Sequence, residues 1–503
     1  MSGDRPPRKP GPKGQGPNRP SKYGPPAKRP NPYRRGPQGD RPGRPGSGGD
    51  SDAENFDRSR TQSDLPMPTE RYMPSDRPPT SGLPARGRSV PLCLDQQPLG
   101  CPSDESMATV YLGRATMQPN VFRKRIERVE GTMATGDWVR VCHLEQPEAK
   151  VFAYGLYNER SEIPVRLASW WGQRPDEAYW DRLLDQAVEL RHQWLGLPKL
   201  TDAYRVIHAE ADGFPGLAVD RYGDILSAEV FSMAMYLRCR SVMEGLSRRL
   251  GTRHWLVQPS PLFHRQEGYD VPAFDSGELP KWVQVREAEA KFRIQFESGH
   301  KTGFFCDQRD NRLRLKELSP GRSVLDLCCY TGGFSVQAAL GGASEVIGVD
   351  LDEAPLQLAK KNADVNQVRV RYSQSDAFAY LRDLLRTGKQ FDIVVLDPPK
   401  LIRNRDEHEE GAKKHFDLNR LAIQLVKTGG WMLTCSCAGL LSWDEFYDLV
   451  SKAARAGGWD ADGVWQPPRR VQIVSRTGAP PDHPVASHCP QSEYLKSLWL
   501  RVY

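Results

Sequence analysis

The sequence predicts an α/β protein: a basic tail, a small β-barrel, an α+β segment and a C-terminal doubly wound parallel sheet. Three observations carry this reading. The stretch from Ser323 to Asp350, SVLDLCCYTGGFSVQAALGGASEVIGVD, reads as strand, glycine turn, helix and second strand. Strands and helices then go on alternating as far as Cys435, and four of the strands end at or near an aspartate. Upstream, four or five short β-type runs separated by turn residues crowd into about 65 residues from Ala108 onward.

The 503 residues leave room for two or three domains and at least one sizeable core. The formal charge of +7 is unevenly placed: residues 1–50 hold twelve Lys and Arg against three Asp, a net of +9, so the remainder is close to −2. The same stretch contains 13 Pro and 11 Gly and no Val, Ile, Leu, Phe or Trp, too little apolar surface to offset chain entropy. Residues 1–105 are therefore expected to form a disordered tail. Its cations could grip a phosphate backbone by counterion release, or only aid solubility. The ten cysteines are scattered and lack the second CxxC pair of a zinc site, so no metal is expected and a reduced, intracellular protein is the simplest reading. No apolar leader and no apolar run of about 18 residues is present, so neither secretion nor membrane spanning is indicated.

Residues 106–172 supply the barrel, through the runs ATVYLGRA, WVRVCHL, KVFAYGLYN and PVRLASW. Residues 173–292 supply the α+β segment. It opens with a helix over 176–194, acidic in its first turn and stopped by Leu195-Gly196-Leu197-Pro198. Strands broken by Asp212-Gly213 and Tyr222-Gly223-Asp224 follow. Glu210, Asp212 and Asp220 resemble a metal cluster at first sight, but their place around turns makes capping the better expectation.

Residues 293–503 form the sheet domain. Just before its first long strand, GHKTGFFCDQRDNR crowds polar, basic and aromatic residues. Either Asp307 caps a helix with Arg309, Arg312 and Arg314 solvated, or Phe305, Asp307 and Gln308 lie over a ligand pocket. The helix 353–366, strand 368–372, helix 377–385 and strand 391–396 then lead to Asp397-Pro398-Pro399. A charged stretch after Pro399 is expected as a loop, with a helix around 418–426 and a strand over 431–435. Ligands of such sheets sit at the carboxyl ends of the strands, where Asp326, Asp350, Asp376 and Asp397 fall. The turn glycines admit close backbone approach, and Asp350 stands where a carboxylate accepts ribose hydroxyls. A dinucleotide-dependent oxidoreductase competes for this pattern, but the turn reads YTGGF and not GxGxxG, and redox chemistry gives no reason for Asp-Pro-Pro. Those prolines rigidify the backbone and remove N–H donors, leaving carbonyls and a carboxylate to face a flat polar group.

The motifs GHKTGFFCDQRDNR, VLDLCCYTGGF, VIGVDLDEAPLQLAKKN, FDIVVLDPPK, LAIQLVKTGG and LTCSCAGL, closing with DHPV and SEYLKSLWLRVY, resemble the class I S-adenosylmethionine-dependent methyltransferases. More narrowly, they are similar to the RlmI-like group acting on cytosine of large-subunit (23S) ribosomal RNA. The resemblance runs from about residue 108 to 503 in the family's order, and AEADGFPGLAVDRYGD resembles its linking domain. It implies a Rossmann-like sheet, a PUA-type RNA-binding barrel, S-adenosylmethionine as cofactor, ribosomal RNA as partner, a cytoplasmic location and a homodimer. It assigns the ribose to Asp350, the adenine amino group to Asp376, the methionine part to Tyr330, Thr331, Gly332 and Gly333, and its ammonium to Asp326.

Carbon 5 of cytosine is a poor nucleophile, so its methylation requires a transient thiolate bond at carbon 6. Cys435 and Cys437 both lie at the end of the fifth strand; the resemblance places the catalytic cysteine at Cys437 and an apolar position at Cys435. Asp397 would bond the pyrimidine N3 edge, with Pro398 holding that edge. Rival readings are a guanine-nitrogen methyltransferase of the same fold, a non-catalytic RNA-binding protein and a small-molecule methyltransferase.

Overall fold

The computed structural model describes residues 94–144, 150–296, 304–459, 463 and 465–503; the expected tail up to residue 93 lies outside the described residues. The predicted end of the tail at 105 moves forward. Leu99 and Cys101 are buried in one core with Trp138 and Trp180, because these short apolar side chains fill the seam beside the first helix.

Six strands come next: β1 (Ala108–Leu112), β2 (Asn120–Val121), β3 (Ile126–Glu130), β4 (Trp138–His143), β5 (Ala153–Tyr157) and β6 (Val165–Trp170), in the order β2-β6-β5-β4-β1-β3. They enclose Val110, Leu112, Val139, Val141, Val165 and Leu167. The edge strands β2 and β3 escape sequence reading because β3 buries only Ile126, too little for a period-2 signal.

Helix α1 (Glu177–Glu189) starts where the Asp176 side chain accepts from the Tyr179 N–H, and it buries Trp180, Leu184 and Ala187 along one stripe. A π-helical turn over Leu190–Trp194 and α2 (Leu197–Leu200) follow. Strands β7 (Ala203–His208), β8 (Leu217–Tyr222) and β9 (Ile225–Val230), helices α3 (Met233–Tyr236) and α4 (Cys239–Leu250), strand β10 (His254–Pro259), helix α5 (Phe263–Glu267) and strand β11 (Phe274–Asp275) form a second sheet, ordered β11-β10-β9-β8-β7. Its Asp212 and Asp220 hold Arg191 and Arg205 at 2.6 Å each. The hairpin β12 (Trp282–Glu287) and β13 (Ala290–Gln295) shares a core with Tyr222 on one side and Val336 on the other. The expected division between 292 and 293 therefore falls inside β13.

Helix α6 (Arg309–Leu318) leads into β14 (Ser323–Leu327), α7 (Gly333–Leu340), β15 (Glu345–Asp350), α8 (Glu353–Val365), β16 (Arg371–Gln374), α9 (Ala377–Thr387), β17 (Phe391–Leu396), α10 (His408–Gln424) and β18 (Val426–Ser436). Helix α11 (Trp443–Arg455), closed by a Ser442–Glu445 capping box, the short hairpin β19 (Gly458–Trp459) and β20 (Trp465–Gln466), and strands β21 (Val471–Thr477) and β22 (Lys496–Val502) complete the chain. The sheet order is β16-β15-β14-β17-β18-β22-β21. It is mixed where a parallel sheet was expected: β22 inserts antiparallel beside β18, and β21 pairs with its far edge. Helix α10 also claims much of the charged stretch expected as a loop, since Leu418, Leu421 and Ala422 bury one face against the sheet.

Candidate active site at the strand ends

Strand β14 is an inner strand of the sheet, between β15 and β17, and is buried along its whole length, so Asp326 enters the core without solvent. Its Oδ2 accepts from Ser335 Oγ at 2.6 Å, while its Oδ1 has no hydrogen-bond partner among the described residues. Burial, and then the negative charges of Asp397 and Asp350, push the carboxyl up to about 7.

The turn after β14 is conformationally costly. Cys328, Tyr330 and Gly332 have φ of 60°, 49° and 79°, three left-handed residues in five. A Cβ at Gly332 would meet the Tyr372 hydroxyl at 2.5 Å, so only glycine fits. The turn is pinned to β15 by the Tyr330 N–H, which donates to Asp350 Oδ2 at 2.8 Å, and by the Cys329 N–H, which donates to the Val349 carbonyl at 3.0 Å. Thr331 is buried, and its carbonyl accepts from Asn362 Nδ2 at 3.0 Å. Gly333 opens α7 against the Arg312 side chain. Asp350 takes a second backbone donor from Asp352 at 3.1 Å.

Asp376 is exposed and caps α9, accepting from the Ala379 N–H at 3.0 Å. Asp397 follows β17, and its N–H donates to the Leu327 carbonyl at 3.4 Å; Pro398 behind it is buried. The four aspartates converge on one place: burial first, then Asp350, Asp397, Asp326 and Asp376 all push the Cys328 thiol upward.

Phe305 stands edge-on to Tyr330 with ring centroids 5.0 Å apart. Asp307 accepts from the Tyr494 hydroxyl at 2.5 Å, and Gln308 accepts from Asn311 at 2.7 Å and reaches the Cys435 thiol. Residues 297–303, which include the start of this motif, lie outside the described residues. Of the two readings of this stretch, the one with a cap at Asp307 and solvated arginines does not hold. Arg309 and Arg312 are 1% and 2% exposed, because Asp482 and Glu287 supply buried carboxylates that only the fold brings near. Asp307 likewise serves Tyr494 and makes no cap.

The two cysteines of β18 and its exit differ. Cys435 is sealed, and burial together with Asp397 pushes its thiol well above the ordinary range. Cys437, just past the strand end, is half-buried. The unpartnered Asp326 oxygen, the left-handed turn and the strand-end carboxylates suit a ligand with an ammonium group and a ribose. Ser335, His415, Asp482 and Lys496 went unremarked in the sequence. Asp482 and Lys496 do fall within the quoted motifs DHPV and SEYLKSLWLRVY, but nothing in the sequence singles them out there.

Comparison with known proteins agrees with this geometry. The model of the family described as S-adenosylmethionine-dependent methyltransferase matches residues 251–458, and that of the PUA-like domain matches residues 116–170. The chain is 32% identical over 393 residues to "Ribosomal RNA large subunit methyltransferase I" of Escherichia coli O139:H28, covering 76% of this chain and 95% of that protein. Its namesake in Erwinia tasmaniensis is 32% identical over 390 residues with the same coverage. A SAM-dependent methyltransferase structure from Streptococcus mutans matches with a TM-score of 0.64 at 18% identity, over 78% of this chain and all of that one. A methyltransferase complexed with SAH matches with a TM-score of 0.60 at 20% identity, over 73% of this chain and 91% of that one. These last two share the fold.

Proposed function

The chain belongs to the S-adenosylmethionine-dependent large-subunit ribosomal RNA methyltransferases, and we propose that it methylates carbon 5 of a cytosine in that RNA through a transient bond to Cys437. The observation that supports the reading is the contrast at the end of β18: Cys435 is sealed, whereas Cys437, one residue past the strand, is half-buried.

S-adenosylmethionine, when bound, supplies an electrophilic methyl group. Asp326 would hold its ammonium, Asp350 its ribose and Asp376 its adenine edge, with Tyr330 to Gly333 as the close-approach turn and Phe305, Asp307 and Gln308 at the rim. The Cys437 thiolate adds to carbon 6 of the cytosine, forming an S–C bond and turning carbon 5 into an enamine nucleophile. Asp397 would assist by stabilising a proton on N3, through an N3–H bond to its carboxylate, and the protonated ring is the more electrophilic at carbon 6; Pro398 would hold that edge. After carbon 5 has gained its methyl group, loss of its proton to a base re-forms the ring double bond and expels the thiolate. Carbon 6 is hidden in a stacked duplex, so the target is single-stranded or flipped out. The barrel of residues 106–172 would bind neighbouring RNA, and a ribosomal substrate implies a cytoplasmic site of action. Among the described residues no helix is long and apolar enough to cross a membrane.

The test is methylation of unmodified ribosomal RNA by two variants. Cys437→Ala is expected to abolish activity, and Cys435→Ala to keep most of it. Full activity in Cys437→Ala sinks the covalent route. RNA carrying 5-fluorocytosine should trap the wild-type enzyme as a stable adduct, and failure to trap it would redirect the reading to a guanine nitrogen, which needs no enzyme bond.

A further inference from the structure

Lys496 opens β22 directly opposite Ser436, the last residue of β18. Its side chain is only 3% exposed, and Nζ donates to the Ala438 carbonyl at 3.1 Å and the Tyr494 carbonyl at 3.0 Å. Ala438 is the residue after Cys437, so the ammonium is anchored at the cysteine's end of the strand. Both partners are neutral, and among the described residues Lys496 has no carboxylate within ion-pairing distance. The acidic groups nearest to it are both exposed and otherwise engaged: Glu493 takes the Trp443 indole N–H at 2.8 Å, and Glu445 closes the α11 capping box. A buried cation without a counter-ion costs several kcal/mol, on the order of what breaking a buried pair costs. Groups held in so unfavourable a state cluster at functional sites, where an anion that forms during the working cycle would offset the cost.

We propose that Lys496 is a positioning residue whose ammonium is the counter-ion of the Cys437 thiolate, both when the nucleophile forms and when it is expelled. This deepens the covalent reading and rests on it. The other charged groups around the pair leave the role to Lys496. His415 on α10, whose Nε2 lies 3.2 Å from Ser436 Oγ, is held neutral, its imidazole pushed down to about 4 by burial and by Lys496 itself. Asp397 beyond β17 and Asp307 before α6 raise the Cys435 thiol and so oppose a thiolate there. Burial pushes the Lys496 ammonium below its ordinary range, and the charges of Glu493, Cys437 and Glu445, in that order, work against this, so an anion at Cys437 helps to keep the lysine charged. Cysteine nucleophiles commonly owe their thiolate to a neighbouring cation.

The experiment follows alkylation of Cys437 by iodoacetamide against pH in the full-length enzyme without RNA, read on the Cys437 peptide by mass spectrometry. Lys496→Met is expected to move the alkylation midpoint upward by about one pH unit or more, the size of effect a close cation exerts on a neighbouring group. Lys496→Arg should stay within a few tenths of a unit of wild type. Lys496→Gln keeps a donor for the two carbonyls and lacks the charge, so it should follow Lys496→Met if charge is what matters. Circular dichroism checks that each variant is folded. An unchanged midpoint in folded Lys496→Gln overturns the proposal, and so does a variant that alkylates normally but binds RNA with a shallower salt dependence, which would make Lys496 a phosphate ligand. Failure of the covalent reading looks different: wild type would then give no 5-fluorocytosine adduct at any pH.

Discussion

Asp326 shows how a single buried oxygen ties the fold to the proposed cofactor site. Ser335 serves one carboxylate oxygen and leaves the other without a partner, so burial holds the proton on until about pH 7. A bound ammonium reverses this preference by favouring the charged form. Cofactor affinity should therefore rise as pH increases from 5.5 to 7 and then level off. Below pH 7, binding should release up to one proton, visible by calorimetry in buffers of different ionisation enthalpy. Asp326→Asn is expected to weaken binding by about 1.5–3 kcal/mol, the worth of a hydrogen bond to a charged group, and to flatten this pH dependence. Stability of the free enzyme moves the other way. The folded carboxyl holds a proton that the unfolded chain releases above about pH 4, so this residue's contribution falls as pH rises from about 4 to 7. The sequence made Asp326 legible as a strand-end carboxylate, but its ionisation was not, because that depends on Ser335, Asp350 and Asp397 closing around it.

The elements that hold this site were read unevenly. Strands β14, β15 and β17 and helices α7 to α9 announce themselves, since each buries an apolar run or stripe of the right period. Strand β21 alternates half-buried with exposed residues at the sheet edge and gives little signal, and β22 is recognisable only once β18 offers it an antiparallel partner. For helix α6 the sequence offered only a helix entry with solvated arginines as one of two readings, and the arginines are buried. Arg309 reaches Asp482 through two hydrogen bonds, of 3.1 and 2.8 Å, and the same carboxylate accepts the Arg205 N–H at 3.0 Å, while the Asp482 carbonyl accepts from Arg191 at 2.7 Å. The π-helical turn, β7 and α6 thus all meet on one residue near the carboxyl end of the chain. Burial alone would raise the Asp482 carboxyl, but His483 and Arg309 outweigh it and hold it well below the ordinary range. Its stabilising contribution is therefore present above about pH 4 and is lost only in strong acid. Asp482→Asn strands a buried guanidinium and is expected to cost about 3–5 kcal/mol in denaturant melting at pH 7. In the double variant with Arg309→Met the loss should be smaller than the sum of the two single losses, because the stranded charge is gone. Additive losses would mean that the pair does not act as a unit.

At the scale of the whole chain, charge and fold occupy different parts of the sequence. Residues 1–50 carry a net of +9, while the remainder, which includes all the described elements, is nearly neutral. If the amino-terminal segment binds RNA, it does so through phosphate, and the binding must be steeply salt-dependent. A clean test needs the right cut. Truncation at 105 would remove Leu99 and Cys101 from the core they share with Trp138 and Trp180, mixing lost stability with lost charge. Truncation before Leu94 removes the charge and leaves that core whole. For the 94–503 protein the slope of log affinity against log salt should become shallower by roughly 0.7 for each single-strand phosphate that the segment neutralises in the full-length chain. Affinity should fall most at low salt, and the rate of methylation at saturating RNA should be unchanged, since every strand-end residue of the site is retained. An identical slope in the two proteins would assign RNA binding to the folded part alone and leave the basic segment with solubility as its only physical consequence.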